Sequence, residues 1–159
     1  MVLRPVNYQN VWELLKLSVK EDQQQFVATN TESIIEAYIA ITSGGYAFPF
    51  GLYDQDTPVG FLMIGYGTDE GWTDAPSIAA NNYSIWRLMI DANKQNRGYG
   101  KQAMELALRF IRTFPCGSAE YCYLSYEPEN EHAKHLYASF GFKETGEMDG
   151  DEVIAAIRL

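Results

Sequence analysis

Two hydrophobic periods take turns along the chain, and each change of period marks an element boundary. Residues 2–6 form a short apolar run that predicts a strand, and Val11, Leu14, Leu15, Ser18 and Val19 then recur at helical spacing. Polar residues 20–25 interrupt that pattern. A second helix is expected with Ile34, Ile35, Tyr38, Ile39 and Ile41 as its apolar members, Thr31 or Ser33 as its cap and Gly44-Gly45 as its stop. Residues 47–53 and 59–67 read as strands, joined into a hairpin by the turn composition Asp54-Gln55-Asp56-Thr57-Pro58. Residues 69–82, with Gly71, Asp74 and Pro76, read as a long loop.

The second half is more regular. It reads as a strand at 83–91, a helix at 98–114, a strand at 120–126, a helix at 129–140, and terminal strands at 142–147 and 152–159. Strand and helix in alternation imply an α/β sheet, and the preceding hairpin makes that sheet mixed. No repeat, low-complexity tract or linker divides the 159 residues, so residues 1–159 are expected to be a single domain. A chain of this length buries ~70% of the surface its unfolded form exposes, enough to fold without disulfide or metal staples.

Charge narrows the partners. Twelve Lys+Arg stand against 21 Asp+Glu, a formal net charge of −9. That balance repels polyanions, so a general nucleic-acid binder is not expected, and it attracts cations, which favours a basic substrate. No window of ~18 apolar residues suggests a membrane span, and the reading is of a soluble cytoplasmic protein. Cys116 and Cys122 are the only cysteines, and with His132 and His135 they miss the usual zinc-ligand spacing; no metal is expected.

The exception to the acidic average lies between a strand and a helix. Gln95-Asn96-Arg97-Gly98-Tyr99-Gly100-Lys101 opens the helix, and half of the basic residues (Arg87, Lys94, Arg97, Lys101, Arg109, Arg112) fall in this one segment. A helix start presents unpaired N–H groups and about half a positive charge, and glycines at 98 and 100 remove side chains that would hold an anion away. Arg97 and Lys101 occupy places where a stable helix start prefers acids, a repulsion that a bound pyrophosphate would relieve. Gln102 after Lys101 departs from a nucleotide P-loop, and Ala103 with no acid closing the next strand departs from a dinucleotide fingerprint.

Gln95, Gly98 and Gly100 after the strand Arg87-Leu88-Met89-Ile90-Asp91 resemble the acyl-CoA loop of the GNAT superfamily of N-acetyltransferases. Some forty residues on, Asn130, Ala133, Leu136, Tyr137, Phe140, Gly141 and Phe142 resemble that superfamily's second signature. The resemblance spans nearly the whole chain and implies an α/β (α+β) fold: a mixed, mostly antiparallel sheet of about six or seven strands, about four flanking helices and a splayed parallel strand pair that receives acyl-CoA. It implies acetyl-CoA as cosubstrate, with the backbone around Leu88, Met89 and Ile90 along the pantetheine arm. Gln95, Asn96, Arg97, Gly98, Tyr99, Gly100 and Lys101 would lie around the pyrophosphate, with Asn130 and Lys134 beside the cofactor. Tyr137 would stand near the sulfur. Its position on an apolar stripe independently turns it inward, where a phenol suits the protonation of a departing thiolate.

A narrower resemblance is to the bacterial spermine/spermidine acetyltransferases, through Gln25-Phe26-Val27-Ala28 with Ser33, Pro58-Val59-Gly60-Phe61, Trp86 to Asp91, and Thr145-Gly146-Glu147. Asn96 and Arg97 depart from it, standing where that group often has Gly and Lys. A small cationic amine is the acceptor this implies, and the acidic residues at 21–22, 69–74 and 144–152 agree with it. Acids bind the ammonium form, yet only the neutral amine attacks, so a base or a water chain is needed. Glu21, Asp22, Glu36 and Asp91 are candidates; Asp22 and Glu36 are favoured on the substrate side, with Arg87 orienting a carboxylate. No activated nucleophile is evident, which favours direct attack in a ternary complex. Acceptors such as a protein N-terminus, an amino acid or an aminoglycoside remain alternatives, as does a non-catalytic acyl-CoA-binding module. A homodimer is compatible with the family.

Overall fold

A computed structural model describes Met1–Leu159. Seven strands make one sheet: β1 (Val2–Pro5), β2 (Tyr46–Asp54), β3 (Thr57–Tyr66), β4 (Tyr83–Ile90), β5 (Tyr121–Tyr126), β6 (Lys143–Asp149) and β7 (Glu152–Arg158), in the order β1-β2-β3-β4-β5-β7-β6. Every neighbouring pair is antiparallel except β4 and β5. That pair is joined through α3 (Tyr99–Ile111), as a parallel connection requires. The remaining helices are α1 (Val11–Leu14), α2 (Asn30–Thr42) and α4 (Glu131–Ser139), and none is long and apolar enough to cross a membrane. The mixed, mostly antiparallel sheet, its four helices and the parallel pair are those the sequence predicts.

Alternation along the strands divides the core between the two faces of the sheet. Leu62 and Ile64 face one way with Ala103, Met104, Ala107, Leu108 and Ile111 of α3 and Ala133 of α4. Phe61 and Met63 face the other way, with Met89 of β4 and Ala37 and Ala40 of α2. On the β5–β7 half of this second face, Tyr123 and Ile154 are covered by Ala79, from a single 3-10 turn (Ser77–Ala79) inside the predicted long loop.

The first two helices depart from expectation. The predicted helix over Val11–Val19 is one turn, because Ser18 is drawn off it: its N–H donates to Asp91 and its carbonyl accepts from the Ala92 N–H. The polar interruption at 20–25 folds as a 3-10 helix, Glu21–Phe26. Helix α2 is capped by Thr29 instead of Thr31 or Ser33. Thr29 accepts from the Glu32 N–H while Glu32 accepts from the Thr29 N–H, a reciprocal box that satisfies two free donors at once. Its orientation departs too, since of the five expected apolar members only Ile34 packs toward the sheet. Ser33, Ala37 and Ala40 face the sheet, while Ile35, Tyr38, Ile39 and Ile41 are more than half exposed. Small side chains let this helix approach the sheet closely, and that contact overrides the larger apolar stripe.

Candidate active site

The parallel pair opens almost as soon as it forms. β4 and β5 are in register only at Tyr83↔Cys122 and Ser84↔Tyr123, although β4 continues to Ile90 and β5 to Tyr126. A bulge drives the separation. On the other edge of β4, Met63 pairs with Arg87 and Ile64 with Ile85, leaving Trp86 as an extra residue that bends the strand. The gap widens into a cleft of about 1150 Å³ lined by β4, by the starts of α3 and α4, and by the 3-10 helix after α1. Along it the facing edge of β4 carries backbone donors and acceptors that β5 does not take up.

One end of the cleft is main chain. Asp91 ends β4 by accepting from the N–H groups of Asn93 and Ser18, and Gln95 donates to the carbonyl of Ile90 and to the Gln23 side chain. These ties fix the loop that leads into α3. Asn96 has φ +62°, a left-handed conformation that Asn adopts more readily than most residues, which accommodates the departure from Gly at this place. Gly98 caps the helix at φ +79°, with open space where its Cβ would be, and no side chain caps the free N–H groups. The first turn contains no acid. Arg97 and Lys101 are exposed beside it, so the charge there is uncompensated and suits an anion. The Tyr99 hydroxyl is turned aside, donating to Asp54 at 2.6 Å.

Helix α4 forms one wall. Asn130 caps it, accepting from the Ala133 N–H at 3.1 Å. Tyr137 packs against Tyr126 and Phe142, with ring centroids 5.8 and 6.2 Å apart. Its hydroxyl lines the cleft without a hydrogen bond from the chain. Burial first, then the charge of Glu152, pushes its pKa up to about 12, so it holds its proton at neutral pH.

The opposite end is built of side chains. Arg87 on β4 donates to Glu36 of α2 at 2.9 Å and to the Trp86 carbonyl at 2.9 Å, while its buried Nε has no partner. Asp22 lies on the lining. Among the candidate site residues singled out from sequence, Glu21, Glu36, Arg97 and Lys134 lie off that lining. Lys134 turns to Glu144 at 3.1 Å, and Glu36 acts through its pairing with Arg87. Asp91, a candidate base, is committed to backbone N–H groups and lies off the lining too. Sequence reasoning missed Gln23 and Ser125, and met Glu152 only as the last member of an acidic stretch. Their elements are far apart in the chain, and no motif or spacing links them.

A seven-stranded sheet with one parallel pair splayed beside an uncapped glycine turn defines an acyl-transfer class of fold. The chain belongs to the acetyltransferase (GNAT) family, whose model matches residues 10–142, and it is an N-acetyltransferase. It is 28% identical to a probable spermine N(1)-acetyltransferase of Bacillus subtilis subsp. natto (strain BEST195), over 96% of this chain and 95% of that protein. The spermine/spermidine N(1)-acetyltransferase of Bacillus subtilis (strain 168) matches at the same identity and coverage. Among solved structures, the aminoglycoside acetyltransferase AAC(6')-Ib in complex with coenzyme A superposes with a TM-score of 0.76 at 14% identity, covering 99% of this chain and 94% of that one. At that identity the likeness concerns the fold.

Proposed function

We propose that residues 1–159 form a single domain that transfers the acetyl group of acetyl-CoA to a primary amine of spermine or spermidine, by direct attack in a ternary complex. The observation that carries this reading is the splayed pair, β4 and β5, with free helix N–H groups at one end of its cleft and carboxylates at the other. Those features fit acetyl-CoA in order along the cleft. The pyrophosphate takes the N–H groups from Gly98 to Lys101, and the pantetheine amides take the open edge of β4 at Leu88 and Ile90. Asn130 flanks the cofactor from the start of α4. The thioester then stands between the strands near Tyr137, and the cosubstrate supplies an acetyl carbonyl activated by its sulfur.

The polyamine approaches from the side where Glu36 is held by Arg87, with Asp22 as a further carboxylate on the lining. Its neutral nitrogen bonds to the acetyl carbonyl carbon, and the carbon–sulfur bond breaks with its electron pair on sulfur. The sulfur is neutralised through the Tyr137 hydroxyl. With a pKa near 12, Tyr137 is too weak an acid to give its proton outright to a thiolate whose conjugate acid lies at ~8.5. The transfer is therefore coupled to refilling of that hydroxyl by the proton leaving the new amide nitrogen. The similarity to the two Bacillus proteins, named for spermine and spermidine, supports this acceptor, as does the net charge of −9. Thiol release from acetyl-CoA, measured across polyamines, amino acids, peptides and aminoglycosides, tests it. Highest kcat/KM on spermine or spermidine is expected, and turnover confined to peptides would overturn it.

A further inference from the structure

The acceptor reading needs a group that removes a proton from the attacking ammonium, and the cleft itself narrows the choice. Glu32 lines it, but its Oε2 accepts from both the hydroxyl and the N–H of Thr29, which lowers its pKa and makes it the weaker base. Glu129 and Glu131 stand at the start of α4, beside Asn130 and the cofactor. Asp22 is on the 3-10 helix, whose next residue, Gln23, accepts from Gln95 in the loop before α3. We propose that Glu152, positioned by Ser125, takes the proton of the attacking ammonium.

The strand pattern puts Glu152 on the correct side. Ile154 of β7 and Tyr123 of β5 share the second face of the sheet, so Glu152 and Ser125, two residues from each, face the same way. Arg87 reaches that face to meet Glu36 of α2. Tyr137 belongs to the first face, yet Glu152 is near enough to bear on its hydroxyl. The two groups thus flank the split between β4 and β5 from opposite sides. An amine attacking a thioester held in that split has the sulfur's proton source on one side and a carboxylate on the other.

Ser125 donates its hydroxyl to Oε2 of Glu152, which orients the carboxylate and leaves Oε1 without a partner in the chain. The charged and titratable neighbours are Tyr137 on α4, Asp149 across the β6–β7 pair and Asp151 in the connecting turn. Asp149 is raised above the usual carboxylate range by its own burial, and next by Glu152 and Asp74, with Arg87 opposing. This bank therefore has excess negative charge that an ammonium relieves. Oε1 takes one proton from that ammonium, the neutral nitrogen attacks, and the proton passes to solvent through the open cleft.

The inference rests on the polyamine reading, and a pH profile of the whole protein separates the two. Glu152→Gln should lower kcat/KM for spermidine at pH 7 by ~10²-fold or more, as for loss of a positioned base. The deficit should narrow by about tenfold per pH unit as pH rises toward the amine pKa of ~10, because more acceptor then arrives already neutral. Glu152→Asp keeps the carboxylate and should keep the wild-type pH slope at reduced rate. Calorimetric CoA binding, unchanged in both variants, reports intact folding. If the wild type acetylates spermidine and Glu152→Gln shows no deficit, or one of equal size at every pH, the assignment of Glu152 is overturned. A wild type that acetylates no polyamine overturns the acceptor reading and this inference with it.

Discussion

The two ends of the cleft are made of different materials. At the start of α3 the binding surface is backbone: N–H groups that the helix leaves free, exposed by a glycine at φ +79° and by the lack of any cap. At the other end it is side chains brought in from α2, β4, β5 and β7, with Glu36 held by Arg87 and Glu152 by Ser125. A backbone site is a local property of a few consecutive residues, and any chain with that turn can form it. A side-chain site depends on the packing of the whole domain, so one fold can keep its cofactor while its acceptor changes.

The comparison can be broken in graded steps. The largest effect is expected at the junction, where Tyr137→Phe should lower kcat by ~10²–10³ while leaving CoA and spermine affinity unchanged, measured by thiol release and calorimetry. Gly98→Val places a β-branched side chain at a left-handed position that costs an L-residue ~1–2 kcal/mol. CoA affinity should fall by roughly tenfold or more with spermine affinity retained. Glu36→Gln should raise the spermine KM by about fivefold and leave CoA binding alone. Its pair with Arg87 is partly exposed, so the loss in stability should stay near 1 kcal/mol in chemical denaturation.

The smallest effect near neutral pH concerns the phenols. Tyr53, Tyr126 and Tyr137 are all pushed up to about 12 in the fold, chiefly by burial, against ~10 for an unfolded tyrosine. Below pH ~10 both states keep these protons and the full stability is present. Between pH ~10 and 12 the unfolded chain ionises first, so stability falls as pH rises through that window. Denaturation at stepped alkaline pH should give a flat profile up to about 10 and a decline beyond it.

The same difference in material explains what was legible in the sequence. The turn at Gly98 and Gly100, the capping Asn130 and the inward Tyr137 lie in short segments with marked spacing, so the proposed cofactor side could be marked out along the chain. The strands themselves were legible as well, because alternation and hairpin turns are local; their order, with β7 between β5 and β6, is set only in the folded sheet. The orientation of α2 was not legible: its isoleucines form the stronger apolar pattern, and only the close approach of Ala37 and Ala40 to the sheet turns Ile35, Ile39 and Ile41 outward while Ile34 stays against the core. Asp91 looked like a free acid, but its partners, Ser18 and Asn93, come from a loop folded back from elsewhere and from the chain just beyond. Glu152 and Ser125 are 27 residues apart on strands that meet only in the sheet, and neither carries a mark of its own.

On the proposed reading one cleft holds two ligands on independent surfaces. Calorimetric titration of CoA and of spermine into the wild type, Gly98→Val and Glu36→Gln decides whether those surfaces are separate. The expected result is a crossed pattern, in which the valine variant loses CoA binding alone and the glutamine variant loses spermine binding alone. Parallel loss of both ligands in either variant, or spermine binding indifferent to Glu36, would contradict it.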